Sequence, residues 1–359
     1  MEFFVFNKNL DPIGEISEYI TVTTERNFHD VSKMIMRADR NPNTIDLLKI
    51  GNIVVNSQDI TYGYIIQHVA YLKEREANMI EVYAYSLNWI LSRLTVPQQF
   101  RYYGPLEQVV KDMIYHNAIN PLDSNRRMDN VVLAPNTGGS ITVSSSKIGG
   151  DLCQNSFDMV RPYNYSFDLL INHSTKKLEV HVWGGTDRSI SQNIYPHVIF
   201  SQEFDNVLTQ EYYESMLDFK NMAYIAGEGE GVNRIITTTG GGTIANGRRE
   251  IFVDARDIQK TYYDDNGDPQ TMSDQDYLGM LVMRGREVLA ELRAKRFFES
   301  SIEDVQFKLG TDYFLGDFVT FQDKEIGVIL NAMVSSIKTE ATKDGVTRIP
   351  SFTSNVPIN

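Results

Sequence analysis

Tyr62-Gly63-Tyr64-Ile65-Ile66-Gln67-His68-Val69 and, a short polar interval later, Met79-Ile80-Glu81-Val82-Tyr83-Ala84-Tyr85 are the stretches that decide the fold class. Both are dense in β-branched and aromatic residues, which suit a pleated, half-buried surface better than a helix. Upstream, residues 19–24 repeat the composition with partial alternation, and Ile53-Val54-Val55 is a short buried run. Residues 1–6 read as a further strand, because no basic region precedes their apolar stretch as it would in a signal peptide. Asn41-Pro42-Asn43 and Gly51-Asn52 punctuate the series. Short strands so closely spaced predict a small antiparallel barrel or sandwich.

The period changes after Ser86. Leu87, Ile90, Leu91 and Leu94 recur at helical spacing with Ser86 as N-cap. A second amphipathic helix has Pro105 near its first turn and a stripe of Leu106, Val109, Val110, Met113 and Ile114. The Ser/Thr-rich run 140–146 reads as an exposed strand or loop. Residues 165–171 and 177–183 form strands joined by the turn His173-Ser174-Thr175. Further strands are predicted at 198–201, 223–226, 234–239 and 249–254. Ser273 then opens a long helix carrying Tyr277, Leu281, Val288, Leu289 and Leu292 to about Phe298. Strands at 305–309, 318–322 and 328–338 finish the chain. Mixed order without regular βαβ units predicts an α+β protein of mainly antiparallel sheet. A helix between two strand groups predicts one barrel assembled from discontinuous segments.

Composition narrows the function. At 359 residues the chain can bury a proper core, and its length favours two or three domains. Its apolar runs are far too short for a membrane-spanning helix, so the reading is a protein made in the cytoplasm with no membrane insertion. A single cysteine, Cys153, excludes an intrachain disulfide framework and a cysteine-rich zinc site, and reads as a small buried apolar residue. The formal net charge of −13 argues against nucleic-acid binding, which needs cations to displace counterions from phosphates.

No catalytic set converges in the sequence. Gly227-Glu228-Gly229-Glu230-Gly231 fails as a phosphate loop, since two carboxylates would meet the anion and no P-loop lysine follows. Gly240-Gly241-Gly242 reads as a turn. The six histidines do not cluster; His173 and His181 flank one hairpin without a third ligand at metal spacing. Ser144 and Lys147 match a Ser-x-x-Lys pattern but lack its partner motifs. Glu74, Glu76 and Glu107 are scattered, and none is paired for glycosidase chemistry. The expectation is a protein that is not an enzyme, with no cofactor and no metal.

Several segments, in order, resemble a known family. They are Ser86-Leu87-Asn88-Trp89-Ile90-Leu91-Ser92-Arg93, Gly184-Gly185-Thr186-Asp187-Arg188-Ser189, and Ile199-Phe200-Ser201 with Asp205-Asn206. Asn221-Met222-Ala223-Tyr224-Ile225-Ala226-Gly227 follows, then Gly247-Arg248-Arg249-Glu250-Ile251-Phe252-Val253-Asp254-Ala255-Arg256, the strongest of them. Tyr313-Phe314-Leu315-Gly316-Asp317-Phe318-Val319 and Gly327 close the set. Together they resemble the siphophage tail-tip baseplate hub proteins, the structural N-terminal module of many tail-associated lysins. That family is similar in fold to the hub of contractile-tailed phages.

The resemblance implies two small β-barrel tube domains plus peripheral α+β domains. On this chain the division becomes a first tube domain at 1–93 and a peripheral domain at 94–190. A discontinuous second tube domain covers 191–258 with 303–350, and a helical insertion covers 259–302. The implied function is a homotrimeric ring in the virion that closes the tail tube, opens for DNA, and contacts the distal tail, tail-tube and tape-measure proteins above and receptor-binding or lysin components below. Alternatives are a cell-wall hydrolase of the tail-associated lysin type or a carbohydrate-binding tail protein. Asp187 and Arg188, and the sign-alternating Arg248, Arg249, Glu250, Asp254 and Arg256, are the candidate intersubunit or structural residues. Read blandly, each is a turn or a solvated strand end worth little.

Overall fold

The computed structural model describes residues 1–73, 78–99, 101–139, 141–145, 147–204, 206–264, 267–302 and 306–354. Glu74, Glu76, Ser140, Asp205 and Val305, named above, lie outside them. The protein is α+β and mostly antiparallel. Eleven of the described strands join one sheet. Along it lie Ile199–Ser201, Phe318–Asp323, Val328–Thr342, Thr21–Asn27, Lys33–Asp39, Asn78–Ser86, Asp59–Lys73, Ile53–Asn56, Phe3–Phe6 and Pro12–Ile16, and Gly345–Thr353 pairs with Val328–Thr342. Only the pairing of Ile199–Ser201 with Phe318–Asp323 is parallel. Both ends of this path are free edges, so among the described residues the sheet does not close into a barrel.

Period-two alternation places the centre of this sheet between two cores. In Asp59–Lys73, Tyr62, Tyr64 and Ile66 face the core that holds Phe3, Val22, Met36 and Val82. Ile65 points the other way, into the core shared with helices α2 (Leu106–Ile114) and α3 (Leu152–Val160). A register shift between Ile66 and His68 bends this long strand, and its second half is more exposed. Helix α1 (Pro42–Leu47) occupies the segment read above as punctuation. Asn41 caps it, its side chain accepting from the Thr44 N–H while Pro42 takes the first turn.

The apolar stripe of α2 is buried throughout, as its spacing predicts. Two helical expectations need correction. Leu87–Arg93 is a 3₁₀ helix, and the Ser86 hydroxyl donates to Asn88 Oδ1 rather than capping it. The long helix, α4 (Asp274–Glu291), begins under the Ser273 cap but stops well short of Phe298. Lys295–Ile302 is instead a strand paired with Val207–Ser215, so the long-range ladder overrides a continuing helical stripe. No strand covers the described part of 305–309; residues 306–309 are turn and bridge.

Smaller sheets complete the structure. Tyr165–Asn172, Lys177–Gly184 and Val131–Leu133 form a three-stranded sheet over α2 and α3. Met222–Ala226, flanked by Ile236–Gly240 and Glu250–Asp254, forms another. One face of that sheet packs on α4 through Ala223, Ile225, Val253, Tyr277 and Leu281. These strands therefore stand apart from the large sheet that Ile199–Ser201, Phe318–Asp323 and Val328–Thr342 join. Cys153 is buried on α3, where burial drives its thiol pKa upward.

Candidate subunit-contact site

The segment Gly184–Ser189 leaves the strand Lys177–Gly184 and crosses to the large sheet. Asp187 Oδ1 accepts the Ser189 N–H at 2.9 Å, a turn held by the Asp side chain. Backbone bonds run from Arg188 N to Phe318 O and from Phe318 N to Thr186 O, so the segment is sewn to the start of Phe318–Asp323. Asp317 anchors the crossing. Its Oδ1 accepts the Thr186 N–H at 2.7 Å, and its Oδ2 accepts Arg188 Nε at 2.9 Å and the Phe314 N–H at 3.0 Å. A Cβ at Gly185 would overlap the Gly316 carbonyl, which explains glycine there. Gly316 itself takes φ +85°, and a side chain on it would strike the Phe28 ring. Asp187 and Arg188 are thus fastened within their own chain.

The second group lies around Glu250–Asp254. Strand geometry sends alternate side chains to opposite faces. Ile251 and Val253 turn to α4, while Arg248, Glu250, Phe252, Asp254 and Arg256 fall on or beside the outer face. Arg248 Nε lies 2.5 Å from Glu250 Oε1, and its Nη2 donates to the Tyr224 hydroxyl at 3.0 Å. Asp254 is shared between Arg256, at 2.6 Å, and Arg234, at 2.5 Å. The bond from Arg256, helped by Arg234, holds the Asp254 carboxyl well below the usual carboxylate range. The Arg248 and Arg256 guanidiniums are raised by their bonds to Glu250 and Asp254.

Asp257 turns inward to Arg284 on α4, at 2.7 Å. Arg249 differs from its neighbours. Its Nη1 donates to the Met216 carbonyl at 2.5 Å and the guanidinium lies 6.0 Å from the Phe219 ring centroid, but it meets no carboxylate among the described residues.

Aromatic and aliphatic groups share this face. Tyr224 and Phe252 are register partners. Arg248 lies 5.9 Å from the Tyr224 centroid and Arg234 lies 5.7 Å from that of Phe252. Phe252 is 59% exposed and Ile236, on the strand at the far side of Met222–Ala226, 52%. Arginines, aromatics and open apolar side chains together are the composition of a protein interface, and a chain covering them removes that apolar area from water. Asp317 stands in a segment quoted for the resemblance but was not read as a site residue, and Arg234 and Arg284 were not singled out, because each meets its partner across a distance in sequence that no local pattern reveals. The arrangement offers no convergent acid–base or nucleophilic set, and no group of three or more potential metal ligands occurs among the described residues.

The fold recurs in solved structures along the whole chain. The tail protein of Neisseria meningitidis MC58 superposes with a TM-score of 0.58 at 14% identity, covering 98% of this chain and 97% of that one. Prophage tail protein gp18 from Listeria monocytogenes EGD-e gives 0.57 at 10% identity, covering 100% and 96%. The 43 kDa tail protein of prophage MuSo2 from Shewanella oneidensis gives 0.55 at 11%, covering 99% and 98%. No curated protein sequence matches. Residues 2–352 match the family model of the Siphovirus ReqiPepy6 Gp37-like protein, and the chain, which has the fold of phage tail proteins, belongs to that family.

Proposed function

We propose that the protein is the baseplate hub of a phage tail tip, a homotrimeric ring that closes the tail tube and opens for DNA. The observation that carries this reading is the family match from residue 2 to residue 352, which spans nearly the whole chain. In this reading two tube domains per chain, built on 1–93 and on 191–258 with 303–350, let three copies sit beneath a six-fold tube. The peripheral domain 94–190 and the insertion 259–302 lie outside the ring. Closed rings use heterologous contacts, in which one surface meets a different surface of the next copy. The outer face of Glu250–Asp254 supports such a contact, with Arg249 as the cation that a neighbour's carboxylate completes. The hub works mechanically and not as an enzyme, in the virion, between the tube, distal tail and tape-measure proteins and the receptor-binding or lysin components.

DNA must slide past this ring without sticking, in keeping with a net charge of −13. Each free cation on the lumen would hold a phosphate, and the carboxylate partners of Arg248, Arg256 and Arg284 neutralise theirs. Charge reversal at Arg249 separates assembly from DNA binding. Arg249→Glu should move the protein toward monomer in sedimentation velocity, and neither wild type nor variant should retain duplex DNA on a filter at physiological salt. Retention by wild type that Arg249→Glu abolishes would overturn the reading of a smooth channel. A zymogram on Gram-positive cell walls should show no clearing; reproducible clearing would favour the lysin reading.

A further inference from the structure

A cleft of about 540 Å³ lies between the inner face of the large sheet, the hairpin Tyr165–Gly184 and the loop around Leu309–Leu315. Leu170, Ile337 and Leu315 give it apolar lining, and Phe314 lines it while remaining 46% exposed. Among them stands Arg26, the register partner of Ile337, whose guanidinium carbon is 4.0 Å from the centroid of the Tyr62 ring.

Arg26 is poorly satisfied. Its Nε is buried and bonds to nothing, its Nη1 is 3.6 Å from Asp59 Oδ2, and its Nη2 is 3.7 Å from Asp168 Oδ2. A guanidinium carries five N–H donors, and among the described residues none of them is within hydrogen-bond reach of an acceptor. Asp168 is buried and half filled, its Oδ2 accepting Trp183 Nε1 at 2.9 Å. Burial raises its pKa, against the pull of Arg26 and the Trp183 bond. The buried Nε left open is costly, while the rest of the Arg26 side chain, 34% exposed, is open to the cleft, so a ligand there can bond the outer N–H groups and the Asp168 carboxylate together.

Charge and shape define the ligand class. Two carboxylates flank Arg26, so an added anion meets repulsion, and Arg26 with Arg348 at the same cleft opposes a cation. A hydroxyl both donates and accepts, which matches an unfilled guanidinium standing beside a half-filled carboxylate. The apolar lining beside these groups, with Phe314 exposed in it, suits the C–H face of a ring. We propose that this cleft binds a neutral pyranose sugar, its hydroxyls bonded to Arg26 and Asp168 and its ring covered by Phe314. The proposal is independent of the hub reading, since it concerns the inner side of the sheet and not the face around Arg249.

Saturation-transfer NMR and calorimetry on the whole protein test it with glucose, galactose and N-acetylglucosamine as neutral probes. Glucuronate, glucosamine and a neutral tetrapeptide serve as the charged and peptide arms. At least one neutral sugar should bind saturably, and Arg26→Met and Phe314→Ala should each weaken it about tenfold or more. Circular dichroism checks that both variants fold. Should Arg26→Met unfold, Phe314→Ala, on the exposed rim, carries the test alone. Three outcomes would overturn the proposal: no saturable neutral sugar up to about 50 mM, binding unchanged in the folded variants, or preference for a charged sugar or for the peptide.

Discussion

Asp317 ties the Gly184–Ser189 crossing to the large sheet, and removing its carboxylate measures what that tie contributes. The side chain is 4% exposed and accepts from two backbone N–H groups and from Arg188, itself 18% exposed. Asp317→Ala leaves three donors without their acceptor in a largely dry place. Each orphaned buried donor costs about 1–3 kcal/mol, and breaking a buried ion pair from one side costs about 3–5 kcal/mol. Because water reaches the Arg188 side chain, the lower part applies, and about 3–4 kcal/mol is expected. Asp317→Asn keeps a carbonyl oxygen for one side only, either the Thr186 N–H or the Phe314 N–H with Arg188, and should cost about 1–3 kcal/mol. Urea unfolding read by tryptophan fluorescence suits the assay, since Trp183 packs beside Phe28, 5.0 Å between ring centroids, next to this crossing. A cycle with Arg188→Ala should give a coupling of about 1–3 kcal/mol. Equal, small losses for Ala and Asn with zero coupling would refute the view that the signature is a structural clip.

Three further outcomes follow from the structure. Lys111 is 1% exposed and donates to Glu107, to the Ala134 and Pro135 carbonyls and to Asn136, while Glu107 also accepts from Thr137. Lys111→Met should therefore cost about 3–5 kcal/mol in chemical denaturation by stranding a buried carboxylate, and a loss below about 1 kcal/mol would contradict that. His29 has its pKa lowered to about 4 by burial and by the Arg161 charge. The unfolded chain, with a histidine near 6.5, therefore takes up the proton first, and stability should fall as pH drops from about 6.5 toward 4. Melting temperatures between pH 7 and 5, above the carboxylate range, should show that slope in wild type and lose it in His29→Gln. Gly185→Ala should give insoluble or strongly destabilised protein because its Cβ meets backbone that cannot move aside, and a normal melting temperature would disprove that packing.

Local periodicity made much of the fold legible. β-branched and aromatic density located the cores of Asp59–Lys73 and Asn78–Ser86, at 62–69 and 79–85, the apolar stripe located α2, and the Ser273 cap located the start of α4, where its hydroxyl accepts the Asp276 N–H at 3.2 Å. Helix α3 was not read, although Leu152, Cys153, Phe157, Met159 and Val160 are buried at helical spacing opposite Gln154, Asn155 and Asp158, with Asp151 as N-cap. The end of α4 escaped because a strand paired with Val207–Ser215 depends on residues some ninety positions away. The same division holds at the candidate site. Arg248 with Glu250, and Arg256 with Asp254, are two residues apart at the two ends of a strand and could be anticipated from that spacing. Arg234 joining Asp254, and Arg284 taking Asp257, depend on how the strands and α4 are stacked.

The central claim is that three copies make one closed ring, and native mass spectrometry of the purified protein across a concentration series tests it most directly. The account predicts a species of three times the chain mass that grows with concentration, and three-fold rings in electron micrographs of the same sample. A protein that stays monomeric at the highest concentration, and forms no ring when its tail partners are added, would contradict it.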